Sequence, residues 1–254
     1  EDTRMAGTLM LHCGGEQVTF EDLARVELPE RTASYCPIPH TDLTRLTQDR
    51  MSKEYPGIEF EWEYGLNREG QQFFAVAQLR LDREDFGMSI ALRNSYDKSL
   101  SVGFAAGASV FCCDNLALSG SSVTTFRKHT TNAWQDVRRM IFTGMVDTQD
   151  HYDEMKLQLT NMQNVGVNTD RGYEVIGRAL GHGVLTPTQG SVAIKEWRKP
   201  SHEEFEERNL YSLYNAFTEA GKHGRAGGFM DRYTGFHDFF TPNGTVIDAE
   251  YSVH

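Results

Sequence analysis

The sequence predicts an α+β fold: an antiparallel sheet of about four strands, arranged as two hairpins and covered by helices, with a helical C-terminal half. Three observations lead there. Apolar and polar residues alternate with a period of two from Ile58 to Tyr64, and further strand-like runs separated by turn residues follow to Cys113. Helical periodicity precedes that stretch and returns after Thr130. Strands and helices are segregated along the chain, which argues against repeated βαβ units. The expected core is a sheet with one face covered by helices.

The elements follow in order. Residues 17–27 read as a short helix, with Thr19 as N-cap and Asp22 three positions on, where a capping-box carboxylate sits. Pro29 stops it, and Pro37 and Pro39 impose an extended link. Thr41 to Tyr55 is a second helix, with Leu43, Leu46, Arg50 and Met51 on one face and Pro56-Gly57 at its end. Ile58 to Tyr64 alternates apolar residues with Glu59, Glu61 and Glu63, the pattern of a half-buried strand. Asn67 to Gly70 turns the chain into a returning strand, Gln72 to Leu81. Phe86 to Asn94 and Leu100 to Cys113 form the second hairpin. Ser119-Gly120-Ser121-Ser122 reads as a loop. Beyond it, Asn132 to about Gln163 is helical with a break near Thr148, and Asp170 to Leu180 is a short helix. Thr186 or Thr188 opens another helix to Glu196, and His202 to Glu219 is a helix with Ser201 as N-cap. Residues 220–254, rich in glycine, are expected to be irregular.

The 254 residues suit one large domain or two small ones. The expected division is a helix-plus-sheet core over 1–130 and a helical region over 131–254 that packs on the same core. Apolar residues make up 39% and charged residues 24%, the composition of a soluble globular chain. No apolar run approaches the ~20 residues that span a bilayer, and Thr8-Leu9-Met10-Leu11 is too short for a signal-peptide core.

The net charge of −11 is unevenly spread. Residues 1–74 hold 14 acids and 7 bases, whereas residues 75–140 hold 6 acids and 8 bases, a basic island in an acidic chain. An acidic whole argues against broad non-specific DNA binding, but a local basic face can still take phosphate. The four cysteines, Cys13, Cys36, Cys112 and Cys113, lack C-x-x-C spacing and zinc-ligand spacing. They read as small core residues of a reducing, cytoplasmic compartment.

Two stretches have the residue types for recognition. Arg93-Asn94-Ser95-Tyr96-Asp97-Lys98-Ser99 sits at a strand-to-strand turn, where side chains reach solvent from a rigid sheet. The same residues also suit plain turn chemistry, with Asn94, Ser95 and Asp97 bonding nearby backbone. Phe126-Arg127-Lys128-His129 precedes a helix that carries Arg138 and Arg139. Adjacent cations next to a helix N-terminus suit phosphate or carboxylate. The catalytic templates G-x-S-x-G, the Walker lysine motif and H-E-x-x-H are missing from the sequence. His182, His202, His223 and His237 are scattered, so no metal and no cofactor is assigned.

The chain resembles a family of phage-, plasmid- and chromosome-borne bacterial proteins labelled domain of unknown function or "phage/plasmid-like protein". The resemblance is carried by Leu92-Arg93-Asn94-Ser95-Tyr96-Asp97-Lys98-Ser99, by Val110-Phe111-Cys112-Cys113-Asp114-Asn115-Leu116 and by Arg127-Lys128-His129-Thr130. Leu11-His12-Cys13-Gly14, Pro37-Ile38-Pro39-His40 and Phe205 to Glu219 extend it over most of the chain. It implies a cytoplasmic protein linked to mobile elements and brings no catalytic residues. The element order is also similar to the core of phage-recombinase single-strand annealing proteins, a likeness of topology alone.

The leading expectation is a non-enzymatic nucleic-acid-binding protein of mobile-element type, a single-strand binding or annealing factor. Arg93, Lys98, Arg127, Lys128, Arg138 and Arg139 would contact phosphates, with His129 in the same basic run. Tyr96 and Phe126 would stack on bases, and Asn94 would hydrogen-bond. Such binding would weaken steeply with salt. The first alternative is a homo-oligomeric interaction protein whose apolar strands meet across subunits. The second is a metal-dependent hydrolase built from the late histidines.

Overall fold

The computed structural model describes residues 15–79, 86–110, 115–126 and 132–247. Six antiparallel strands follow one another in a meander, each paired with its neighbour in sequence: β1 Glu16–Val18, β2 Glu61–Asn67, β3 Gln72–Leu79, β4 Phe86–Ser95, β5 Val102–Val110 and β6 Asn115–Phe126. Among the described residues, eight α-helices surround the sheet: α1 Phe20–Arg25, α2 His40–Glu54, α3 Ala133–Val146, α4 Thr148–Gln163, α5 Thr169–Gly181, α6 Pro187–Arg198, α7 Leu210–Gly221 and α8 Phe229–Phe240. The α+β architecture is as expected, with two more strands. The additions are β1, three residues long and without visible periodicity, and β6.

Both faces of the sheet are covered, not one. Phe73, Ala75, Ala77, Ile90, Leu92 and Phe104 pack under α1, α2 and α3, against Leu23, Leu43, Met51, Val137 and Ile141. Phe74, Val76, Ala91 and Ala105 point the other way, into a core built with Leu159, Ile176, Trp197, Phe217, Phe229 and Phe236 of α4 to α8. The reason is written in the central strands. Phe73-Phe74-Ala75-Val76-Ala77 is apolar at odd and even positions alike, so both of its faces are driven out of water. β2 keeps an acidic face, with Glu61 exposed.

Local signals set the helix starts. The capping box of α1 forms as expected, with Asp22 Oδ2 accepting from Thr19 N at 3.0 Å. A second one opens α6, between Thr186 and Gln189, with Pro187 at the first helical position. The break between α3 and α4 falls at Asp147, next to the expected Thr148. The β2–β3 turn puts Arg68, Glu69 and Gly70 at positive φ. Gly70 is required there twice over, since a Cβ would also lie 2.8 Å from the Val26 side chain.

Three further expectations are corrected. Ser119–Ser122 belongs to β6 rather than to a loop. The ladder steps from Ala105↔Val123 to Gly107↔Leu118, so this small polar segment bulges opposite Ala106 alone. The helix expected from His202 starts at Leu210 instead. Ser201 donates its hydroxyl to Glu196 Oε1 at 2.8 Å and accepts nothing from a following helix, while Asn209 caps Ser212 N at 2.8 Å. Residues 229–240 are helical, not irregular. Phe229, Tyr233, Phe236 and Phe240 share the inward face of α8, and that burial outweighs the surrounding glycines.

Among the described residues, no helix is long and apolar enough to cross a membrane. Cys36 is a free, buried thiol; Cys13, Cys112 and Cys113 lie outside the described residues.

Candidate functional site

Arg93 to Tyr96 are built into the protein interior, whereas Asp97, Lys98 and Ser99 are exposed. Asn94 is fully buried, and its amide donates to Ile38 O at 2.7 Å and to His40 Nδ1 at 3.1 Å. His40 Nε2 lies 3.0 Å from Gly70 O, which can only accept. The ring is thereby held with its proton on Nε2 and its lone pair on Nδ1. Tyr96 stacks on this imidazole, with ring centroids 3.8 Å apart and planes 4° from parallel. The Tyr96 hydroxyl accepts from His40 N at 3.0 Å, and Tyr35 Oη donates to Tyr96 O at 3.0 Å. Burial pushes the Tyr35 phenol up to about 12 and raises that of Tyr96 as well. This network ties the Tyr35–His40 link to the end of β4. Asn94→Ala removes the donor to both Ile38 O and His40 Nδ1. It is expected to cost about 2–3 kcal/mol, read from urea midpoints at constant slope.

The rest of the turn follows the reading as turn chemistry. Asp97 accepts from Ser99 N at 2.9 Å and from Arg68 at 3.1 Å, and its carboxyl is held below the usual range by the Ser99 and Arg68 bonds despite partial burial. Ser95 Oγ accepts from Leu100 N and donates to Leu100 O, both at 3.0 Å. Arg93 is buried beneath α8, where it reaches Ser101 Oγ at 3.2 Å and Asp231 Oδ2 at 3.3 Å. Lys98 is exposed, its ammonium 4.4 Å from the centroid of the Tyr35 ring. Arg127, Lys128 and His129 lie outside the described residues. Phe126 closes β6, with its backbone opposite Val102.

Arg138 and Arg139 are exposed side by side on α3. Arg138 lines a surface groove of about 340 Å³ between α2 and α3 with Arg45, Trp134, Leu46, Asp42 and Asp49. Helical spacing produces this lining. Asp42, Arg45 and Asp49 sit at i, i+3 and i+7 on α2, and Trp134 and Arg138 at i and i+4 on α3. Trp134 is half-buried, so the groove offers an aromatic surface flanked by two guanidiniums and two carboxylates. Arg45 also stands 5.3 Å from the Phe20 ring centroid. Sequence reading reached Arg138 and missed Arg45 and Trp134, because only the packing of α2 beside α3 brings them together.

The late histidines do not converge. His237 is buried in α8, with Nε2 2.7 Å from Gln158 Oε1, while His202 is 3.9 Å from Glu219. Among the described residues, no group of three or more His, Cys, Asp or Glu is placed to hold a metal ion.

The fold and the groove define a class: an α+β protein with an antiparallel meander between two helical layers and a mixed arginine–tryptophan groove on one of them. The chain belongs to the family described as Domain of unknown function (DUF932), whose model matches residues 27–243. Neither the curated proteins nor the solved structures gave a match.

Proposed function

We propose that the protein binds single-stranded nucleic acid without chemically changing it, as a binding or annealing factor of mobile elements acting in the cytoplasm. The observation that carries this reading is the α2–α3 groove, which Trp134 lines together with Arg45 and Arg138. Single-strand sites combine such aromatic surfaces, which accept any base face, with cations that follow the backbone. Arg139 adds a further exposed charge beside the groove, and Arg127 and Lys128 precede the same helix in sequence. Asp42 and Asp49 offset Arg45 and Arg138, so the lining is neutral overall. With Arg45, Arg138 and Arg139 each meeting one phosphate, log affinity should fall against log salt with a slope of about −2, shallower than a long basic channel gives.

The test is fluorescence-anisotropy titration of single-stranded and duplex DNA at two salt concentrations. Arg138→Glu combined with Arg139→Glu should weaken single-strand binding about a hundredfold at low salt. Both side chains are exposed, so the thermal melt should stay put. Unchanged affinity in the double variant sinks the site.

A further inference from the structure

Phe142 is a large apolar side chain left 54% exposed on α3. It follows Trp134 by two steps of four residues, with Arg138 at the step between them. Each step of four turns the position about 40° around the helix and advances it about 6 Å, so Trp134 and Phe142 stand about 12 Å apart along one strip. The neighbouring helix follows the same strip. Arg45 of α2 lines the groove beside Trp134, and five residues on, Arg50 lies 4.3 Å from the Phe142 ring centroid. Arg50 is itself anchored by an ion pair with Glu54 on the next turn of α2. One face of the Phe142 ring is thus backed by a fixed guanidinium while more than half of the residue remains open to solvent.

We infer that Phe142, backed by Arg50, is a second base-stacking plate. The strand would run along α3 from the Trp134 groove, with Arg138 on a phosphate between the two rings. This rests on the single-strand reading above and deepens it, by giving the site a direction and a minimum length. Aromatic, cation and aromatic residues in succession match the chemical repeat of a single strand, in which stackable bases alternate with phosphates. A duplex hides its base faces and cannot use both plates. The backing guanidinium fixes the ring before binding, so little side-chain freedom is lost when a base stacks. The smallest strand that engages both plates is about four nucleotides, the low end of single-strand site sizes.

The experiment uses the full chain and labelled oligothymidylates of increasing length. Wild-type affinity should rise sharply once the oligomer reaches both plates. Phe142→Ala should weaken the longer oligomers about tenfold and leave the shortest unchanged, and Phe142→Trp should restore the loss. If Phe142→Ala matches wild type at every length while Arg138→Glu with Arg139→Glu abolishes binding, the second plate is wrong and the groove stands. If neither variant changes affinity, both fall. A drop in solution mass on Phe142→Ala, with DNA affinity intact, assigns the ring to contact between copies of the chain and also overturns the plate.

Discussion

Gly172→Ala is expected to destabilise the protein by about 3 kcal/mol, against the direction that helix propensity predicts. Gly172 sits in the first turns of α5, where alanine alone would favour the helix by about 1 kcal/mol. A Cβ there would lie 2.1 Å from Trp197 Nε1 and 2.2 Å from Cε2. The indole cannot retreat easily. Its Nε1 donates to Thr169 O at 3.0 Å, and Arg208 stacks on it at 4.5 Å while donating to the Trp197 carbonyl. Trp197 is 1% exposed, so any shift propagates into the layer of α5 and α6. In a chain of this size, the loss should lower the melting midpoint by roughly 10 °C. Combining Gly172→Ala with Trp197→Leu should cost less than the sum of the two changes, because the smaller side chain relieves the clash. A melt within a degree of wild type, or strict additivity, would show that the indole is not the obstacle.

Acid should weaken the protein as pH falls from 6.5 towards about 4. Gln158 donates its amide to Gly244 O at 3.1 Å and to Glu154 Oε1 at 3.2 Å, which leaves its carbonyl to accept from His237 Nε2 at 2.7 Å. His237 Nδ1 is then buried with no partner, 5.9 Å between ring centroids from Tyr214 of α7. Burial pushes the imidazole pKa down from 6.5 to about 4. Between those values the unfolded chain binds a proton that the folded one refuses. Stability therefore falls as pH drops through this window, by about 3 kcal/mol for the gap from 6.5 to about 4. Asp22 and Asp97, whose carboxyls are held below their ordinary 3.8, lose their contributions only in stronger acid. Urea denaturation at several pH values should show the slope, and His237→Gln should flatten much of it. Equal slopes for the two proteins would remove His237 as the cause.

The turn at the end of β4 shows how a single stretch can be read correctly and incompletely. Its density of polar residues was plain in the sequence, and the assignments of Ser95 and Asp97 to backbone turns follow from their side-chain length. That Asn94 and Tyr96 face His40 depends on a link 54 to 56 residues upstream, and no local pattern contains that pairing. The groove behaves the same way. Arg138 stood out as one of two adjacent arginines, whereas Arg45 with Trp134, and Arg50 with Phe142, have no shared sequence motif and meet only because α2 lies alongside α3.

From sequence alone the α+β class, the first β-hairpin, the Thr19 helix start, a further helix start at Thr186 or Thr188 and a break near Thr148 could be stated. Each depends on residues within one or two turns of each other, where capping, periodicity and turn chemistry act. Tertiary structure decided the rest. It covered the second face of the sheet, drew β6 into the meander with a bulge at Ser119–Ser122, and folded the glycine-flanked aromatics of 229–240 into α8. These outcomes depend on burying apolar surface against partners far away in the chain. That free energy is carried by contacts that form only when the whole fold does.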